Sequence, residues 1–100
     1  ESVLKRFMGE ERVEKYVKMF LRDDSYDLLL DALRKERIED AFLAAHTLKG
    51  VCLNIGFSRL YDSASIMTEA LRAGDRQGAQ DALPALRRDY EEITESIKFL

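Results

Sequence analysis

The only histidine of this 100-residue chain, His46, stands in the run Ala45-His46-Thr47-Leu48-Lys49-Gly50. A neutral imidazole nitrogen is a competent nucleophile. On a helix, a lysine three residues on is a neighbour, so the Lys49 ammonium can reach whatever becomes attached to the ring. Two unit charges 4 Å apart interact by about 1 kcal/mol in water and about 4 near a protein surface, enough to help hold an anionic group there. Gly50 is the third feature. A mid-helix glycine costs roughly 1 kcal/mol against alanine, a cost that makes sense if bare backbone four residues after the histidine lets another protein approach closely.

The element that must carry these residues is a helix. Ile38, Ala41, Phe42, Ala45, Leu48, Cys52 and Ile55 recur every three or four residues and form one apolar stripe, from about Ile38 to Asn54 with Gly56 as the stop. At about 100° per residue, His46 lies next to Ala45 on the border of that stripe, where it can lean on apolar neighbours and still meet water. Leu43 and Leu53 lie off the stripe on the His46 side and would form, with Gly50, an apolar docking patch, the plain alternative being scattered surface leucines.

The flanking chain has the same helical periodicity. Val3, Leu4, Phe7 and Met8 make a short lid helix that Gly9 ends, and Val13, Tyr16, Val17, Phe20 and Leu21 a second stripe starting at Glu10-Glu11. Asp23-Asp24-Ser25 reads as a stop and a cap, followed by Tyr26, Leu29, Leu30 and Leu33 to about Arg34; Lys35-Glu36-Arg37 is a link. Ser58 is placed to cap a helix whose Leu60, Ala64, Met67 and Leu71 face inward until Ala73-Gly74-Asp75. Ala79, Ala82, Leu83, Leu86, Tyr90, Ile93, Ile97 and Leu100 give the longest stripe, which Pro84 bends or splits. No period-2 alternation is long enough for a strand. These elements predict an all-α fold: an up-down-up-down four-helix bundle from the helices near residues 11, 38, 59 and 76 onward, capped by short additional N-terminal helices. Folding the Gly56 hairpin back sets position 68 opposite 46, 65 opposite 49 and 61 opposite 53, so the stripe facing His46 is Tyr61, Ser65, Thr68 and Arg72.

Residues 1–100 suffice for a single domain with one core, and the start at Glu1 without a methionine suggests a piece cut from a longer protein. Sixteen basic and nineteen acidic residues are interspersed, for a net charge of -3, with no basic stripe for nucleic acid. No apolar run approaches the roughly 20 residues of a membrane span. The single Cys52 cannot form an internal disulfide and reads as a buried thiol of a reducing compartment, the cytoplasm. There is no Gly-rich phosphate loop, no Cys/His pair, and no Glu-x-x-His of a di-iron bundle, since Leu43 stands three before His46. A haem between His46 and Met8, Met19 or Met67 is the remaining cofactor option, and methionines at helical spacing are ordinarily core filler. Taken alone, a lone helical histidine is more often structural than functional.

The wider motif changes that balance. Ala45-His46-Thr47-Leu48-Lys49-Gly50, followed by Asn54-Ile55-Gly56, Leu60 and Leu71-Arg72-Ala73-Gly74-Asp75, closely resembles the signature of histidine-containing phosphotransfer domains, phosphocarrier modules of bacterial multistep two-component signalling. The resemblance implies that His46 is phosphorylated, that Lys49 steadies the phosphoryl group, and that Gly50 leaves space for a docking receiver domain. It implies no kinase activity, and no cofactor of the domain's own, since Mg²⁺ and the acidic pocket come from the receiver. The implied partners are response-regulator receiver domains and a hybrid histidine kinase, met by a monomer. Many relatives carry Glu or Gln where Thr68 stands, to orient the ring through its second nitrogen. Thr68 can accept a hydrogen bond but has no charge, which favours a relay role over carboxylate activation. With Leu43, Gly50 and Leu53, the facing Tyr61, Ser65 and Arg72 complete the expected partner surface. The alternative reading is a non-phosphorylated helical interaction module of the same shape.

Overall fold

The computed structural model describes residues 10–55 and 57–97. The expected lid helix, Gly9, the Gly56 stop and Leu100 lie outside the described residues, as do the side chains of Val13, Tyr16 and Ile55. Five helices follow in order: α1 (Glu10–Arg22), α2 (Ser25–Arg34), α3 (Ile38–Ile55), α4 (Ser58–Arg72) and α5 (Arg76–Ile97). Among the described residues there is no strand.

From α2 onward, each helix packs on the next, with α3 between α2 and α4, and α4 between α3 and α5. The core is the sum of the apolar stripes. Leu29 enters from α2, Ala41, Ala45, Leu48 and Cys52 from α3, Leu60, Ala64 and Met67 from α4, and Leu86 from α5, all sealed from solvent. Alanines at three of these positions keep side chains short at the contacts, which sets the helices close together.

The helix lying along α3 is α2 rather than the one near residue 11. α1 reaches the core through Phe20, whose ring meets Phe57 edge-on at 5.4 Å and Tyr90 at 5.4 Å. Leu21, expected on the α1 stripe, is 62% exposed, because one residue past Phe20 is a 100° rotation away from the core. Tyr26 of α2 stacks on Tyr90 of α5, centroids 3.7 Å apart.

The helix ends explain where the chain turns. Asp75 caps α5: its Oδ1 accepts from the Gly78 amide at 2.9 Å. α4 ends in a Schellman motif, with the Asp75 amide on the Ala70 carbonyl (2.9 Å), the Gly74 amide on that of Leu71 (3.0 Å), and Gly74 at φ 70. α2 ends the same way, through Arg37 to Ala32 (2.8 Å) and Glu36 to Leu33 (3.2 Å), with Glu36 in the left-handed position at φ 57. Ser58 is not the cap of α4. Phe57 precedes the helix, buried, and makes no side-chain cap bond. Ser25 begins α2 with its amide bonded to Asp23 Oδ1 at 2.9 Å, and its hydroxyl on the same oxygen. Pro84 does not split the last helix. α5 runs unbroken through it, because Pro84 is exposed and the carbonyl it leaves unpaired, on exposed Gln80, can be hydrated.

Two polar side chains are buried between α4 and α5. The Ser63 hydroxyl donates to Asp89 Oδ2, and Arg88 Nε lies 3.4 Å from Asp89 Oδ1. The partners are on different helices, which ties the two together in register.

Candidate functional site

α3 holds its buried face against α2 and α4, and thereby fixes which residues it leaves outside. Ala45 and Leu48 are buried while His46 is exposed between them. The His46 ring lies in an offset stack on Phe42, one turn earlier, with centroids 6.0 Å apart and planes 18° from parallel. Phe42 is in turn covered by the Arg72 guanidinium of α4, 5.1 Å from its ring centroid, and Arg72 Nε is bonded to Glu69 at 3.0 Å. Lys49 is half-buried, and its Nζ sits 5.7 Å over the Tyr61 ring. Each cation is thus set against an aromatic ring, Lys49 on Tyr61 and Arg72 on Phe42.

Phe42 facing Arg72, and Leu53 sharing a small cleft with Tyr61, agree with the hairpin register that sets 46 opposite 68. Thr68 nevertheless makes no hydrogen bond to the imidazole. It is 0% exposed, and its Oγ1 donates to the Ala64 carbonyl at 2.6 Å. Facing α3 at this register puts the threonine in the core, where its one proton is taken by the preceding turn of its own helix. His46 has no hydrogen-bond partner among the described residues, and the ring it lies against is that of Phe42. Ser65 also departs from expectation as a partner contact, since its hydroxyl oxygen is sealed from solvent without a hydrogen-bond partner.

The surface around the ring is open and partly apolar. Leu43 is 60% and Leu53 65% exposed, and a Cβ placed on Gly50 would meet nothing within 4 Å. Packing inside the domain therefore does not require glycine there. Thr47, beside His46, bonds its Oγ1 to the Leu43 carbonyl at 2.9 Å, which keeps its hydroxyl on the helix.

Other reactive groups are remote from chemistry. Burial pushes the Cys52 thiol up to about 12, with the Asp23 carboxylate acting in the same direction, so it is neither thiolate nor nucleophile at neutral pH. Met67 is fully buried, as core filler should be, and Met19 is exposed. Among the described residues no group of three or more His, Cys, Asp or Glu side chains is placed to hold a metal ion, and no helix is long and apolar enough to cross a membrane.

Phe42 is the site residue that residue types alone did not single out. Its spacing of four from His46 was the available signal, but the same spacing put it on the core stripe.

In comparison with known proteins, the sequence model of the Hpt domain matches residues 16–96. No curated protein and no solved structure matches. Domains of this family are phosphocarriers rather than kinases, acting by histidine phosphotransfer with the receiver domains and kinases of two-component systems. The match runs from within α1 almost to the end of α5 and includes the exposed histidine of α3, so the chain belongs to the Hpt domain family.

Proposed function

We propose that this domain relays phosphoryl groups between receiver domains, accepting one on His46 from a receiver phosphoaspartate and passing it to the aspartate of another. The observation that carries this reading is the exposed His46 imidazole, stacked on Phe42, with Lys49 one helical turn on and the open backbone of Gly50 beyond it. In the forward step an imidazole nitrogen attacks phosphorus and forms the N–P bond. The P–O bond to aspartate breaks, its electron pair stays on the carboxylate, and the second ring nitrogen keeps its proton. Such transfers demand positioning and charge balance more than covalent work from the protein. Phe42 holds the ring plane, Lys49 offsets the charge of the phosphoryl group, and Mg²⁺ with the acidic pocket belongs to the receiver.

Leu43, Gly50 and Leu53 form the docking surface, with Tyr61 and Arg72 at its border on α4. The helices stand up-down-up-down, and the domain works as a cytoplasmic monomer without ATP chemistry of its own. Incubation with phosphorylated receiver domains tests the proposal. Label should move to the parent protein as an acid-labile, alkali-stable adduct and not to His46→Gln. A parent that binds receivers but takes no label would instead be a non-phosphorylated interaction module.

A further inference from the structure

A second concave site lies away from the histidine. It is a cavity of about 360 Å³ between α2 and α5, closed at one end by the start of α3. Its floor is apolar, made by Leu30, Leu33, Ile38 and Leu83. Its rim carries three arginines, Arg34, Arg76 and Arg87, against a single carboxylate, Glu36. None of Leu43, His46, Lys49, Gly50 and Leu53 lines it.

The charge is the informative feature. The chain as a whole is acidic, at -3, yet this lining is net positive. The arginines have partners: Arg34 bonds Asp31 at 2.6 Å, Arg76 is 3.9 Å from Glu36, and Arg87 acts on the Tyr26 hydroxyl. These contacts are at exposed guanidiniums and leave most of their N–H donors free, and exposed ion pairs are weak enough to yield to a better-enclosed anion. An apolar floor with Arg34 and Arg76 at its Glu36 end suits a molecule with one apolar body and one carboxylate, because the fork of arginine matches carboxylate geometry. The volume is in the range of small-molecule sites and too small to take a helix.

We propose that the cavity between α2 and α5 binds a small amphipathic monoanion, an alkyl or aryl carboxylate. Its apolar body lies on Leu30, Leu33 and Leu83, and its carboxylate at the Arg34 and Arg76 end, by Glu36. The site is independent of phosphotransfer, so its test needs no receiver. Decanoate is titrated into the protein at low salt and followed by methyl NMR, with decanol and decyltrimethylammonium as controls. Saturable shifts confined to Leu30, Leu33, Ile38 and Leu83 are expected, with both controls at least roughly tenfold weaker, the factor expected when a charge-assisted contact is lost. Gln80→Trp, at an exposed position on the lining, should fill the cavity and abolish the shifts. The exposed pair Arg34→Glu and Arg76→Glu should weaken binding at least as much as loss of the carboxylate does. Shifts that fail to saturate, equal affinity for decanol, or shifts gathered at Leu43 and Leu53 would each overturn the proposal.

Discussion

The imidazole of His46 rests on the ring of Phe42, centroids 6.0 Å apart and planes 18° from parallel, and this contact takes the place of a hydrogen bond. The residue facing the histidine, Thr68, spends its proton on the Ala64 carbonyl. A stacked ring is held in plane but keeps both nitrogens for chemistry. Phe42→Leu keeps the apolar bulk and removes the stack, a contact of about 0.5–1.5 kcal/mol. The His46 ring protons should shift toward values of an unstacked histidine, and phosphotransfer should slow by about two- to tenfold. Unmoved ring protons would mean that the stack does not persist in solution.

Gly50 separates the needs of the fold from those of a partner. Since a Cβ there meets nothing within 4 Å, Gly50→Ala should stabilise the domain by about 0.5–1 kcal/mol, the ordinary helical preference, read by urea unfolding. Gly50→Gln should also fold, yet lose receiver docking by at least about tenfold, or about 1.4 kcal/mol. Full docking by a folded Gly50→Gln protein would show that nothing approaches the backbone at this position.

Glu36 occupies the left-handed position that ends α2, at φ 57, whereas the equivalent position after α4 is Gly74 at φ 70. A side chain in that conformation costs roughly 1–2 kcal/mol. Its ion pair with Arg76, at 3.9 Å between exposed groups, returns little. Glu36→Gly should therefore raise stability by about 1 kcal/mol, reduced by the freedom glycine adds to the unfolded chain. Thermal and urea unfolding both report it. A loss of stability would mean that the carboxylate does more than tolerate the turn.

Stability should fall at alkaline pH. Burial raises the Cys52 thiol from 9.0 to about 12 and also raises Tyr26 and Tyr90 above the usual 10.0. A raised acid keeps its proton longer in the folded chain than in the unfolded one. Its contribution is complete below the unfolded pKa and is lost as pH rises through the folded value. From these groups the stability is level below pH 9.0 and declines from there toward about 12. In Cys52→Ala the decline should begin about one pH unit later, when the tyrosines of the unfolded chain start to ionise. Urea midpoints at about pH 8 and about pH 10.5 give the comparison.

The helices were legible because their burial is periodic. Ala41, Ala45, Leu48 and Cys52 are buried at the positions their spacing required, and His46 is exposed for the same reason. Features set by partners far along the chain were not legible. Asp89 reads as a surface aspartate until Ser63, 26 residues away, is placed against it. Leu21 fits a stripe on paper, yet the position of α1, pinned through Phe20, turns it to solvent. Phe42 satisfies two roles with one spacing, and only the facing helix, which covers it with Arg72, shows that its ring serves the histidine as well as the core. Glu36 in a left-handed turn has no local signal at all, since glycine or asparagine is the usual mark of that position.

The central claim is that His46 is the phosphorylated atom's host, and phosphorus NMR of the domain mixed with a phosphorylated receiver tests it most directly. A resonance of an N-phosphohistidine should grow as that of the acyl phosphate decays, with the ring protons of His46 shifting in step, and a second unphosphorylated receiver should then discharge it. A phosphoryl group found on any other side chain, or acquired equally well by His46→Gln, would contradict the account.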